Sequence, residues 1–99
     1  MYVVLSQFVI ANEMVDDVHA AFRQRPHLVD HEPGFIRMEV ISPVDQPEAI
    51  WLLTYWSDEQ SFERWHRSHL YKESHAGVPH GLKLVPGQNR VTRFNHIAS

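Results

Sequence analysis

The stretch AIWLLTYWSDEQSFERW, Ala49 to Trp65, carries the reading on which the fold turns. Its first eight residues are aromatic and branched almost throughout, the composition of a strand. With a period of two, Ile50, Leu52 and Trp56 fall on one face and Trp51, Leu53 and Tyr55 on the other, so both faces are apolar. Ser57 with Gln60 three residues later makes a capping-box pattern, and Asp58 and Glu59 suit the first turn of a helix. Phe62 and Trp65 then mark that helix's buried side.

Working outward, PVDQPE before Ala49 supplies turn chemistry, and FIRMEVIS from Phe35 alternates as a second strand that pairs with Ala49–Trp56 in a hairpin. Residues 2–10, YVVLSQFVI, read as the first strand, with Leu5 and Val9 opposite Val4, Phe8 and Ile10. Asn12 is placed to cap a helix on which Val15, Val18 and Phe22 recur, with Asp16, Asp17 and Arg23 between them. Pro26 ends it, because proline lacks the amide donor and its ring clashes with the preceding turn; HLVDH forms a short second segment. Beyond Leu70, Gly77, Pro79, Gly81, Pro86 and Gly87 forbid a continuous helix, and NRVTRFNHI closes the chain as a fourth strand.

The order β-α-β-β-α-β is that of a ferredoxin-like α+β fold, an antiparallel sheet with two helices on one face, as a single domain over residues 1–99. Two helices cover one sheet face. The other, also apolar, calls for a second sheet, most simply that of a second copy, so a homodimer with sheets face to face is expected.

The chain has 99 residues, 43% apolar and 21% charged, the mix of an ordinary globular domain. A formal charge of −3 provides no basic field for a phosphate backbone, so nucleic acid is not an expected partner. The absence of cysteine excludes disulfides, thiolate metal sites and cysteine nucleophiles. The opening MYVVLSQFVIANE has no positively charged leader region and its apolar run is too short to span a bilayer, giving a cytoplasmic expectation without membrane attachment.

Chemistry concentrates in SFERWHRSHLYKESHAG, Ser61 to Gly77. Trp65 is by residue type a core anchor, and a core tryptophan can also line a pocket. His66 and His69 share a helix face and with His75 or His80 have the donors for zinc, but no carboxylate pattern completes such a site, and His66 and His69 are expected to face solvent. His75 follows the helix end and precedes AGVPHG, either a plain loop histidine or one presenting a neutral imidazole nitrogen to a metal. Gln7 shares a face with Val3, Leu5 and Val9; if that face meets the helices, its amide needs a partner, such as a ligand, backbone, Arg93 or Asn95.

Taken together, the opening strand, PGF before strand two and YWSDEQSFERW resemble the antibiotic-biosynthesis-monooxygenase superfamily of dimeric ferredoxin-like barrels. Within it, the heme-degrading monooxygenases carry an asparagine on strand one, a tryptophan on helix two and, about ten residues on, the histidine that ligates heme iron. Trp65 and His75 match the last two in type and spacing, and Gln7 stands at the asparagine position. The resemblance implies heme as substrate and cofactor, held by His75 in a cleft lined by Phe22, Phe62, Trp65, Leu5 and Val9. Trp65 would distort the ring, Gln7 would donate a hydrogen bond, and an external donor would supply electrons. The superfamily's cofactor-independent, quinone-forming oxygenases imply a different use: Trp65 and Tyr71 match their phenol-binding pair, but Ser61 stands where they carry an asparagine. A non-catalytic binder of heme or an aromatic ligand is the third reading.

Overall fold

The computed structural model describes residues 1–68 and 79–99. Four strands form one antiparallel sheet in the order β2-β3-β1-β4: β1 is Tyr2–Val9, β2 Phe35–Ile41, β3 Ala49–Trp56 and β4 Arg90–Asn95. Helix α1, Val15–Arg23, follows β1, and α2, Glu59–His66, follows β3. This is the expected ferredoxin-like α+β topology, with β2 and β3 paired as a hairpin. No helix among the described residues is long and apolar enough to cross a membrane.

The register fixes which face of the sheet is covered. Even-numbered residues of β1 and β3, among them Tyr2, Val4, Phe8, Ile50 and Trp56, pack against the helices. Trp56 has no solvent exposure, and its indole nitrogen donates to Thr54 Oγ1 at 2.9 Å, so burial leaves no polar group unpaired. Phe35 and Phe62 meet its ring edge-on at centroid distances of 5.4 and 5.7 Å, and Phe62 also contacts Tyr2 at 6.1 Å. One aromatic cluster therefore binds β1, β2, β3 and α2. A second cluster at the other end of the sheet joins Val18 of α1 to Ile10 and Ile50, with Phe22 against Phe8.

The helix starts differ from expectation in instructive ways. Asn12 does not cap α1, which begins after Met14 without a side-chain cap; its Nδ2 instead donates to the Gly81 carbonyl at 2.9 Å, tying the β1–α1 connection to the segment before β4. Asp58 rather than Ser57 caps α2, its carboxylate accepting from the Ser61 amide at 2.8 Å and the Ser61 hydroxyl at 2.6 Å. A charged acceptor one residue closer to the helix outcompetes the serine. Those two bonds hold the Asp58 carboxyl below its ordinary range.

After α1, the turn around Pro26 places His27 in the left-handed region at φ 58°. Arg25 donates through both terminal nitrogens to Asp30, at 2.8 and 3.3 Å, closing the turn and seating Val29 of the short 3₁₀ segment Val29–His31 in the core. The expected HLVDH segment is this turn. Gly34, in the PGF element, sits at φ +86° directly beneath α2: a Cβ there would lie 2.0 Å from Ser61 Oγ and 2.4 Å from Ser61 Cβ, while the Gly34 carbonyl accepts from the Ser57 amide at 2.8 Å. Only a residue without a side chain admits both the backbone angle and the approach of the helix.

Replacing Gly34 by alanine is expected to destabilise the protein by about 2–4 kcal/mol, the sum of a left-handed backbone and an overpacked contact. In urea unfolding, G34A/S61G should be less destabilised than the two single changes summed; strict additivity would show that the Ser61 contact is not the cause. Because the Asp58 carboxyl is depressed on folding, its stabilisation is present above the unfolded carboxylate pKa and disappears as pH falls through the lower folded value. Asp58→Asn should therefore be less stable than the parent at pH 7, and the gap should close in thermal melts taken below about pH 4, the ordinary aspartate range.

Candidate active site

Helix α2 projects Phe62 and Trp65 from one side, as their spacing requires, and both are buried with Tyr2, Val4 and Val29. At 6% exposure Trp65 is foremost a core anchor. It stands in the last turn of α2, and His69, Tyr71 and His75 all lie beyond it in 69–78, outside the described residues. His66 is exposed, as expected, with its ring stacked on Phe62 at 5.4 Å. Arg93 of β4 pairs with Glu63 and lies over the same phenylalanine, its guanidinium carbon 5.1 Å from the centroid, so a guanidinium and an imidazole border the α2 anchor. Among the described residues no group of three or more histidine or carboxylate side chains is arranged to hold a metal ion.

Phe22 occupies a separate place. It is half-buried on α1 and lines a cleft of about 380 Å³ between that helix and the β2–β3 hairpin, with His19, Arg23, Val40 and Ile50. The His19 ring donates from Nε2 to the Pro47 carbonyl at 3.1 Å, fastening the helix to the turn that leads into β3. Its lining mixes apolar Phe22, Val40 and Ile50 with the guanidinium of Arg23 and the ring of His19. Phe22 thus belongs to the cluster of α1, whereas Phe62 and Trp65 belong to that of α2. The expected single wall of Phe22, Phe62 and Trp65 is two walls, at opposite ends of the covered sheet face.

Gln7, Leu5 and Val9 do not share that face. Phe8 contacts Phe22 of α1, so by strand alternation its neighbours Gln7 and Val9 point to the open side of the sheet, as does Leu5. Gln7 pairs in register with Trp51 on β3 and Arg90 on β4, not with Arg93 or Asn95. The notion that Gln7 donates into a cleft beside Trp65 is corrected by this parity. The strand-one residue that does share the helix side, between Val4 and Phe8, is Ser6. Its signal was present in the even spacing of Val4, Phe8 and Ile10, but both strand faces are apolar and alternation alone does not say which one the helices choose.

Ser61, at the position where quinone-forming oxygenases carry an amide, is 2% exposed, bonded to Asp58, in reach of Arg64 at 3.3 Å and set against Gly34. Its hydroxyl is spent on the start of α2.

Comparisons with known proteins agree with this architecture. The heme oxygenase (mycobilin-producing) of Mycobacterium tuberculosis, in strains CDC 1551 / Oshkosh and ATCC 25618 / H37Rv, is 29% identical over 49 residues. That match takes in 50% of this chain and 47% of the relative, so the chain matches about half the length of these curated relatives. Among solved structures, the heme-degrader MhuD from M. tuberculosis with two hemes bound in its active site superposes with a TM-score of 0.80 at 19% identity, covering 100% of this chain and 98% of that one. SnoaB, a cofactor-independent oxygenase from Streptomyces nogalater, gives 0.77 at 13% identity over 99% and 94%. At such identities the two likenesses establish the fold, which both chemistries share. The family model for antibiotic biosynthesis monooxygenase matches residues 1–77, and the chain belongs to that monooxygenase family.

Proposed function

We propose that this protein is a heme-degrading monooxygenase that takes heme as substrate and cofactor. The observation that carries the reading is the position of Trp65, buried in the last turn of α2 with His75 ten residues further along the chain. His75 is the proposed iron ligand, a neutral imidazole nitrogen being a common donor to heme iron.

The residues present suit such a group. A broad apolar plate needs apolar walls, and Phe22, Val40 and Ile50 on one side with Phe62 and Trp65 on the other supply them. Arg23 offers a guanidinium for the carboxylates of a porphyrin. Tyr71 is proposed to complete the wall. Trp65, immobilised by its neighbours, gives a rigid surface against which a ring can be pressed out of plane. When bound, heme supplies both the iron that activates dioxygen and the ring that is opened, with electrons from an external donor. Gln7, on the far face of the sheet, has no part in this proposal. The cofactor-independent route draws support from the SnoaB likeness and the Trp65–Tyr71 pair, but its third group is replaced by a serine already engaged by Asp58.

The open sheet face supports a homodimer. Val3, Leu5, Leu53 and Tyr55 form its apolar middle, half-buried within one chain, with Phe94 43% exposed beside them. A second sheet packed on this face would remove that surface from water. Leu53→Glu is accordingly expected to shift light scattering from dimer to monomer with the secondary structure retained, and a parent protein that is monomeric at micromolar concentration would remove the dimer from the proposal.

Hemin titration followed by visible absorption tests the main reading. The parent should develop a stoichiometric Soret band that His75→Ala loses and that ascorbate, with catalase present, then bleaches. Trp65→Phe, chosen to limit core damage, should bind hemin but bleach at least several-fold more slowly. Saturable binding without bleaching would mark a carrier; no specific binding would overturn the heme reading and leave polycyclic phenols as the substrates to assay.

A further inference from the structure

On a central strand, the residues that face a helix layer are ordinarily buried from one end to the other, because that face is the core. Here the burial lapses in the middle. Along β1, Val4 and Ile10 are each 4% exposed, whereas Ser6 and Phe8 between them are half-buried. Along β3, Ile50 and Trp56 are closed off from solvent, whereas Leu52 and Thr54 between them are half-buried. The lapse has a cause in the fold. One core cluster joins Val4 to Trp65 of α2, the other joins Ile10 and Ile50 to Val18 of α1, and neither helix closes over the strip between them.

This strip is one register row. Val40 on β2 stands opposite Leu52 on β3, Leu52 opposite Ser6 on β1, and Ser6 opposite Val91 on β4, so the four share the helix side of the sheet. Four strands spaced by about 4.8 Å make a floor roughly 14 Å wide across the strands. Ser6 lies two residues, about 7 Å, from Val4 and as far from Phe8, midway between the Trp65 wall and the Phe22 wall. At one end of the row Val40 belongs to the lining of the cleft beside α1; at the other, Val91 is 61% exposed on the edge strand. Ser6 is the smallest side chain of the row, and the other three are apolar.

We infer that Ser6 is a specificity-determining residue of the helix-side site and acts through its size: with Val40, Leu52 and Val91 it forms the floor on which a planar, polycyclic ligand lies across the strands. A larger side chain at this position would stand up between the two walls and exclude the plate. The identity of the ligand rests on the heme reading; the open room above Ser6 does not.

The test is Ser6→Leu in the full chain, read in two ways. Thermal melts of the ligand-free protein should place Ser6→Leu at or above the parent, because an open strip takes the added carbons without the strain of an overpacked core. Hemin titration followed at the Soret band should then show Ser6→Leu weaker by at least about tenfold, while Ser6→Ala, which adds no bulk, and Gln7→Leu, on the opposite face, stay within about threefold of the parent. A lower melting temperature for Ser6→Leu would show the strip already filled and overturn the inference whatever hemin does. Parent-like hemin binding by Ser6→Leu, or an equal loss in Ser6→Ala, would overturn it with the heme reading intact. A parent that binds no hemin, beside a stabilised Ser6→Leu, would overturn the heme reading and support the open floor.

Discussion

The structure rests on the seating of α2 upon the sheet. Trp56, without exposure at the end of β3, gives Phe62 a ring to meet edge-on, and Gly34 lacks the Cβ that would collide with Ser61 at the β2 entrance. The two contacts act on successive positions of one helix. Losing a buried aromatic of this kind costs about 3–5 kcal/mol, a large fraction of what holds a domain of this size together. Because the helix is only eight residues long, propensity alone would not keep it folded in water; tertiary packing and the Asp58 cap do so.

That seating has a functional consequence. With α2 held at one end of the sheet and α1 at the other, the covered face presents two apolar walls, Trp65 with Phe62 and Phe22 with Val40 and Ile50. The same architecture serves a heme-degrader and a cofactor-independent oxygenase, so the scaffold does not choose between them. In the proposed reading the choice falls to a few side chains near the end of α2, and the commitment of Ser61 to Asp58 removes one polar group from the cofactor-free alternative.

The two faces of the sheet divide the remaining chemistry. Alternation along β1 sends Tyr2, Val4 and Phe8 to the helices and Leu5, Gln7 and Val9 to the open side, so residues adjacent in sequence serve surfaces a strand's thickness apart. A one-residue difference in parity therefore moves a side chain from one face of the sheet to the other. On the open side the apolar middle, Val3, Leu5, Leu53 and Tyr55, suits another sheet.

Much of this was legible from the chain by itself. The strand at Ala49–Trp56, the turn at Pro26, the hairpin of β2 and β3 and the buried side of α2 follow from periodicity and local backbone chemistry, which depend on nearest neighbours along the sequence. The family resemblance followed from the same segments, and the match over residues 1–77 bears it out. What the tertiary structure alone decided was the face. With apolar residues on both sides of β1 and β3, periodicity is satisfied either way, and only the packing of Tyr2, Trp56 and Phe62 against α2 selects the even-numbered side. Asn12 makes the same point at smaller scale: its amide bonds the carbonyl of Gly81, a residue far along the chain that only the fold brings within reach.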